Sequence, residues 1–426
     1  MRYHKKQASF KSPQDILKFN KKRRLITWDP QEQKIDSAFI NVPPVRLYLA
    51  ENQEEFFKTF AQSKNELGSD FANNSKLNGE IKKIYSGSEE SLLVGEIKFA
   101  TVEDTHQAIL SAQKSFESSW WSSSNALMRF SVLLKAADKI LQLRYELAGL
   151  IIFEAGKSIA EALADVDEAV DFINFYVREE MVWFRRFPFA SPRGVMAVIS
   201  PWNFPLAIPC GMVCSALSAG NAVILKSAEQ TPLIAQKFVD ILHEAGVPTN
   251  LLIHLPGEGE SVGAALVDSP IIAGVVFTGS KSVGTQIYKK ISSQMIQYEN
   301  SFYQKKVITE MGGKNAIIVT NNCELDETVQ GILYSSFAHA GQKCSAASRI
   351  LIDKKIKKAF LDRFIDAVAD LKVDSAFKAE TFINPIISRE DKERIKQIVV
   401  EASLEAKEHN GVVHLDRSKE EFPGHC

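Results

Sequence analysis

The sequence predicts an α/β fold built on a parallel sheet with helices on both faces. Three observations point there. Four apolar, β-branched runs, Val195–Ile199, Ala222–Leu225, Leu251–Leu255 and Ile272–Phe277, start about 20 to 30 residues apart. Helical stretches punctuated by Gly or Pro fill the gaps, the rhythm of strand–helix–strand units. Polar or small residues follow each run, as Ser200-Pro201-Trp202-Asn203, Lys226-Ser-Ala-Glu229, Pro256-Gly-Glu-Gly259 and Thr278-Gly279-Ser280. Parallel sheets bind ligands at the carboxyl ends of their strands, so these are the segments to watch.

The elements before that sheet read as helices. Residues 103–118 and 125–152 are amphipathic; in the second, Leu127, Phe130, Leu133, Leu134, Ala137 and Ile140 recur at helical spacing. Residues 158–180 continue helically, and the acids at 161, 165, 167, 168 and 171 read as a solvated face. The chain has 426 residues, too many for one ordinary core. The reading is a basic N-terminal extension over 1–60, including "NKKRR" (Asn20 to Arg24), a ligand-binding domain over 61–308 with a helical N-terminal part, and a second domain over 309–426.

Composition narrows the function. Lys plus Arg number 51 against 52 acids, a net charge of −1, which argues against a nucleic-acid or membrane-surface protein. No run of 18 apolar residues exists to span a bilayer. Five cysteines without a CxxC pair suit a reducing, cytoplasmic compartment, and no metal site is expected. The first acid is Asp15, but scarce arginine argues against a mitochondrial transit peptide.

Chemistry concentrates in five segments. In "HAGQKCSAASR" (His339 to Arg349), Cys344 sits among small and polar residues, where a nucleophile fits better than a core thiol. Asn203 lies between two prolines, either a rigid oxyanion donor or an Asx-turn residue. Glu310 in "VITEMGGKN" ends an apolar run, either a partly desolvated general base or a strand-end acid. Lys226 and Glu229 suit a ribose diol, and the carboxylate favours NAD over NADP. "FTGSKSVG" closes a strand and opens a helix, so Gly279, Ser280 and Gly284 can admit a phosphate, with "GEGESVG", containing Gly259, a looser candidate.

Taken together, "SPWNFP", "LKSAEQTP", "FTGSKSVG", "EMGGKN" and "GQKCSA", in this order and spacing, resemble the aldehyde dehydrogenase superfamily over about residues 90–375. Within it, "AGVVFTGS", "ITEMGGKNAIIV" and "AGQKCSAASR" look like the glutamate-semialdehyde (1-pyrroline-5-carboxylate) dehydrogenases of proline catabolism. The resemblance implies a Rossmann-type NAD domain and a partial α/β catalytic domain. It implies Cys344 as nucleophile, Glu310 as distant base, and Asn203 with the Cys344 N–H as oxyanion hole. Ser200, Pro201, Trp202, Lys226, Glu229, Gly259, Gly279, Ser280 and Gly284 would then contact NAD. Ser345 would bind the substrate carboxylate and Phe175 pack its stem, although Phe175 also reads as helix core. His339 is expected to be structural, and Lys343 either favours the Cys344 thiolate or points elsewhere. The implied partners are a small aldehyde, further copies of the chain in full-length relatives, and a linked proline dehydrogenase in some.

Eighty-two residues follow Cys344, fewer than in that family, whose longer segment carries a Glu-x-Phe-Gly-Pro motif and completes the catalytic domain. "EEFPGHC" (Glu420 to Cys426) does not match it. The expectation is an incomplete catalytic domain with exposed apolar surface and little activity. Another semialdehyde dehydrogenase, a nucleotide-binding scaffold, and a basic arm for an anionic partner remain as alternatives.

Overall fold

The computed structural model describes residues 39–70, 76–123, 126–187, 190–298, 301–408 and 412. The "NKKRR" and "EEFPGHC" segments, and with them Cys426, lie outside the described residues. The first strands, β1 (Ser69–Asp70), β2 (Ile81–Tyr85) and β3 (Leu93–Lys98), form a small mixed sheet in the order β1-β3-β2. Its brevity explains why no hydropathy pattern announces it. The helix that follows, Val102–Ser118, starts where a capping box dictates. The Asp104 N–H donates to the Thr101 hydroxyl, and the Thr101 N–H donates to the Asp104 carboxylate.

The four predicted strands are present as β4 (Val195–Ile199), β5 (Ala222–Lys226), β6 (Leu252–His254) and β7 (Ile272–Gly279). After a hairpin of β8 (Met295–Tyr298) and β9 (Ser301–Gln304), β10 (Lys306–Met311) joins them. The sheet is parallel throughout, in the order β10-β7-β4-β5-β6. Every residue of β4 and β5 is buried. Alternate side chains on a strand point to opposite faces, so both faces are covered. The chain adds β5 and β6 on one side of β4, then crosses to place β7 and β10 on the other. The crevice between β4 and β7 is therefore the switch point at which such sheets bind ligands.

Several expectations need correction. The stretch 125–152 divides at Leu143 into helices Ala126–Gln142 and Arg144–Ala155. Leu127 is exposed at the margin of the apolar stripe, whereas Phe130, Leu133, Ala137 and Ile140 are buried. The long helix Ile159–Arg186 does not present its acids to water. Glu161, Asp165 and Asp167 are buried and Asp171 is half-buried; Glu168 is exposed. Each enclosed carboxylate has a cation or an N–H against it, which is how burial of a charge becomes tolerable. Asp171, for example, accepts from Asn41 Nδ2 (2.7 Å) and the Val42 N–H (2.8 Å). The expected boundary at 60/61 falls inside helix Ala50–Asn65, whose Phe56 and Phe60 are buried in the main core. The boundary at 308/309 falls inside β10, so the nucleotide-type sheet itself carries Glu310.

Beyond β10, β11 (Asn315–Val319) and β12 (Ala347–Ile352) pair in parallel. Helices Leu325–Phe337 and Lys357–Ala369 close a second, small core around Val319, Val329, Ile332 and Phe360. Ile318 and Leu351 remain exposed, and the helix Arg389–Glu408 has no buried residue.

Candidate active site

Strand register brings the predicted segments to one edge. Ile199 pairs with both Lys226 and Phe277, and Phe277 pairs with Thr309. The next residue of each strand, Ser200, Ser227, Thr278 or Glu310, therefore stands at the carboxyl edge of the sheet. Ser200 is buried, its N–H donating to the Lys226 carbonyl at 3.1 Å. Immediately after the half-buried Pro201 and Trp202, Asn203 Nδ2 donates to the Gln342 carbonyl at 2.9 Å. Its Oδ1 is buried without a partner. The amide uses one of its two N–H bonds on Gln342, which leaves the other for a ligand.

The Asn203 loop rests on a buried ion pair. Lys157 Nζ lies 2.9 Å from Asp165 Oδ2 and donates to the Asn203 carbonyl at 3.0 Å, beneath the Phe204 ring at 3.9 Å. Asp165 Oδ1 accepts the Ala207 N–H at 2.7 Å. Neither charge of the pair is exposed.

The Cys344 segment is shaped by left-handed backbone. His339, Ala340 and Gly341 have φ of 53°, 54° and 70°. For the two non-glycine residues such angles cost about 1–2 kcal/mol each and persist only where surroundings fix them. Gln342 does so: its Nε2 donates to the carbonyls of His339 and Pro385 (3.2 Å each), and its Oε1 accepts the Ile387 N–H at 3.0 Å. His339 is fully buried with Nδ1 3.2 Å from Asn384 Nδ2. Burial, then the charges of Lys157 and Lys343, push it well below the usual imidazole range, so it is neutral and structural, as expected. Cys344 and Ser345 emerge exposed. Asn315 Nδ2 donates to the Cys344 carbonyl at 2.8 Å and ties the "EMGGKN" loop to the cysteine.

Two further expectations resolve on geometry. Lys343 turns to Glu161 (2.6 Å) beside the Tyr334 ring, whose hydroxyl donates to the same carboxylate at 2.8 Å. Burial and Glu161 together push Tyr334 up to about 12. The Lys343 ammonium is thus engaged away from the thiol. Glu310 is exposed rather than partly desolvated: with Lys306 and Ile308 it lies on the uncovered face of β10.

On the nucleotide side, Lys226 Nζ lies 2.7 Å from Glu229 Oε1, which also accepts the Gly259 N–H at 2.7 Å. Ser280 caps helix Lys281–Ile291, its Oγ accepting from the Val283 N–H at 3.3 Å. A side chain at Gly279 would come within 2.7 Å of the Phe277 ring, and one at Gly284 within 2.8 Å of Met311. Gly284 therefore serves the close approach of helix and strand. Phe175 is exposed and packs edge-to-face on Phe39 and Tyr176.

A sequence profile described as the aldehyde dehydrogenase family matches residues 76–420. The chain belongs to the aldehyde dehydrogenase family. A 1-pyrroline-5-carboxylate dehydrogenase from Anoxybacillus flavithermus is 36% identical over 326 residues, 74% of this chain and 62% of that relative. The chain thus spans less than two thirds of that relative's length. Proline utilization A from Bdellovibrio bacteriovorus superposes with a TM-score of 0.80 at 34% identity, covering 86% of this chain and 39% of that one. A Thermus 1-pyrroline-5-carboxylate dehydrogenase with bound NAD gives 0.79 at 30% identity, covering 85% and 72%.

Sequence reasoning about this family member missed Glu161, Lys157, Asp165, Asn315 and Gln342. Glu161 and Asp165 carried a signal only as charges where a helical pattern expects water, and Lys157, Asn315 and Gln342 lie outside helices, where no periodicity marks them. Cys210 and Cys214 are buried on helix Ala207–Ser218, with Cys210 Sγ donating to the Ala169 carbonyl. Burial pushes the Cys210 thiol well up. Among the described residues no cluster of three metal-ligating side chains occurs, and no helix is long and apolar enough to cross a membrane.

Proposed function

We propose that the chain carries the residues for NAD-dependent oxidation of L-glutamate γ-semialdehyde to L-glutamate. The observation that carries the reading is the hydrogen bond from Asn203 Nδ2 to the Gln342 carbonyl, which puts a side-chain amide beside the segment that ends in Cys344. The relatives named 1-pyrroline-5-carboxylate dehydrogenase support the substrate, and the NAD-bound Thermus structure supports the cofactor. The residues also fit NAD. Glu229 is prearranged as an acceptor by Lys226 and Gly259, and the switch-point crevice lies open between β4 and β7.

In this reading the Cys344 thiolate adds to the aldehyde carbon, and the carbonyl oxygen becomes an oxyanion. The free N–H of Asn203 and the Cys344 backbone N–H hold that oxyanion, each contributing about 3 kcal/mol to the transition state. NAD, held by residues such as Lys226 and Glu229, would supply the hydride acceptor for oxidation of the thiohemiacetal to a thioester. Glu310 takes a proton from water, the hydroxide adds to the thioester carbon, and the Cys344 sulfur leaves as thiolate. The exposure of Glu310 suits a group that must reach water. Ser345, exposed beside Cys344, donates to the substrate α-carboxylate.

The test is NADH production with glutamate semialdehyde and with propanal. Ser345→Ala removes one hydrogen bond to a charged group, roughly 1.5–3 kcal/mol, and is expected to raise KM for the semialdehyde roughly ten- to hundredfold while leaving propanal unchanged. Equal effects on both would assign a general aldehyde instead, and no turnover of any aldehyde would overturn the reading.

A further inference from the structure

We propose that Lys157 and Asp165 are positioning residues that set where the Asn203 amide stands relative to the Cys344 thiol, an inference that rests on the reaction proposed above. Both ends of the segment 203–207 are tied to this one ion pair. Lys157 Nζ holds the Asn203 carbonyl at 3.0 Å, and Asp165 Oδ1 holds the Ala207 N–H at 2.7 Å. Four residues earlier on the same helix face, Glu161 holds Lys343, the neighbour of Cys344, at 2.6 Å. One helical turn, a rise of about 6 Å, is therefore a fixed spacer between the oxyanion donor's loop and the nucleophile's loop. The bond from Asn203 Nδ2 to the Gln342 carbonyl closes the ring of contacts.

A buried ion pair is poor evidence of stabilisation, since well-packed apolar residues often serve as well. What an apolar pair cannot supply is a donor for the Asn203 carbonyl and an acceptor for the Ala207 N–H. The same helix provides a control. Asp167 is also buried and ion-paired, but its partner Arg144 reaches the Pro43 carbonyl, on another side of the helix from the reacting groups.

The experiment compares the full chain with Asp165→Asn, Lys157→Met and Asp167→Asn. Three quantities are read: the NADH burst with saturating glutamate semialdehyde and NAD, amide hydrogen exchange at 203–207, and alkylation of Cys344 by iodoacetamide, which needs no oxyanion donor. In Asp165→Asn and Lys157→Met the burst is expected to slow roughly 10- to 100-fold, the scale set by a misplaced reacting group. Exchange at 203–207 rises, KM for NAD stays within about twofold, and alkylation is unchanged. Asp167→Asn loses thermal stability without changing the burst. Unchanged exchange in Asp165→Asn, or faster exchange with an undiminished burst, overturns the proposal, as does an equal slowing in Asp167→Asn. If the unaltered chain gives no burst with any aldehyde, the reaction is refuted instead, and exchange at 203–207 alone then decides whether the brace exists. Should Lys157→Met fail to fold, the near-isosteric Asp165→Asn carries the decision.

Discussion

The two parallel sheets of this chain treat a strand in opposite ways. In the five-stranded sheet, β4 and β5 are buried along their whole length, and their side chains meet helices on both faces. In the two-stranded sheet, β11 buries only Val319, and Ile318 is 71% exposed. Cys344 stands just before β12 in the open pair, while Asn203 stands just after β4 in the enclosed sheet. The difference teaches where precision comes from. The open half does not fix Cys344 by packing around its strands; it does so through polar ties to the enclosed half, by way of Gln342 and Lys343.

The largest effect that tests this division is on chemistry. Cys344→Ala is expected to abolish NADH production while leaving NAD affinity, measured by calorimetry, unchanged, because the residues proposed to contact NAD all belong to the enclosed half. Retained turnover would remove Cys344 from the mechanism. Glu310→Gln is expected to keep the NADH burst and lose steady-state turnover by two orders of magnitude or so, on the scale of a general base. Equal loss of burst and steady state would show that Glu310 acts on the thiol. This pair of variants also asks whether β10, which belongs to the enclosed sheet by pairing yet exposes Glu310, works with the open half.

Stability supplies the next contrast. Ile224 is fully buried in β5, and Ile224→Ala is expected to cost about 2–5 kcal/mol, the range for a truncated core aliphatic. Urea unfolding of the two proteins would measure it, and a cost below about 1 kcal/mol would mean that the sheet collapses readily around the gap.

How much of this was legible follows the same line. Four of the five strands of the enclosed sheet could be read to within two residues, because unbroken apolar runs with β-branched residues leave few alternatives; β10 was not among them. The order of ligand-facing segments was equally plain. What the sequence did not show were the buried carboxylates of helix Ile159–Arg186. Helical periodicity counts an acid as solvated, and only a partner distant in sequence, such as Lys343 for Glu161, reverses that. The exposure of Glu310 was hidden for a related reason: whether a strand's face is covered depends on what packs against it, which no single strand encodes.

Acid–base behaviour provides a smaller, graded test within the enclosed half. Glu154 is buried, and its two oxygens accept the N–H groups of Leu233 (2.7 Å) and Ile234 (3.0 Å) at the start of helix Pro232–Ala245. Burial outweighs those bonds and pushes the carboxyl up to about 8. A folded value above the unfolded one means that protonated Glu154 contributes stability below the ordinary carboxylate range. That contribution is lost as pH rises through about 8. Glu154→Gln gives up one of the two bonds but does not titrate. The stability advantage of the unaltered protein over this variant is therefore expected to shrink between pH 5 and pH 8.5 in urea titrations. An advantage that is constant or grows would show that the carboxylate is ionised throughout, held by the helix start.

The smallest expected effect bears most directly on the comparison. Ile318 is chemically identical to Ile224 and also sits in the middle of a parallel strand. If strand membership alone set the cost of truncation, Ile318→Ala would resemble Ile224→Ala. Because its side chain is largely exposed, little apolar area returns to water and no cavity forms, so the change is expected to stay within about 0.5 kcal/mol. The measurement is the same urea midpoint, made at several protein concentrations. A cost of 2 kcal/mol or more, on the core scale, would mean that Ile318 is covered in solution. A concentration-dependent cost would identify the cover as a second copy of the chain, and a concentration-independent one as a part of the same chain. Either result would turn the open half into an enclosed one and require that Cys344 be held by packing as well as by its polar ties.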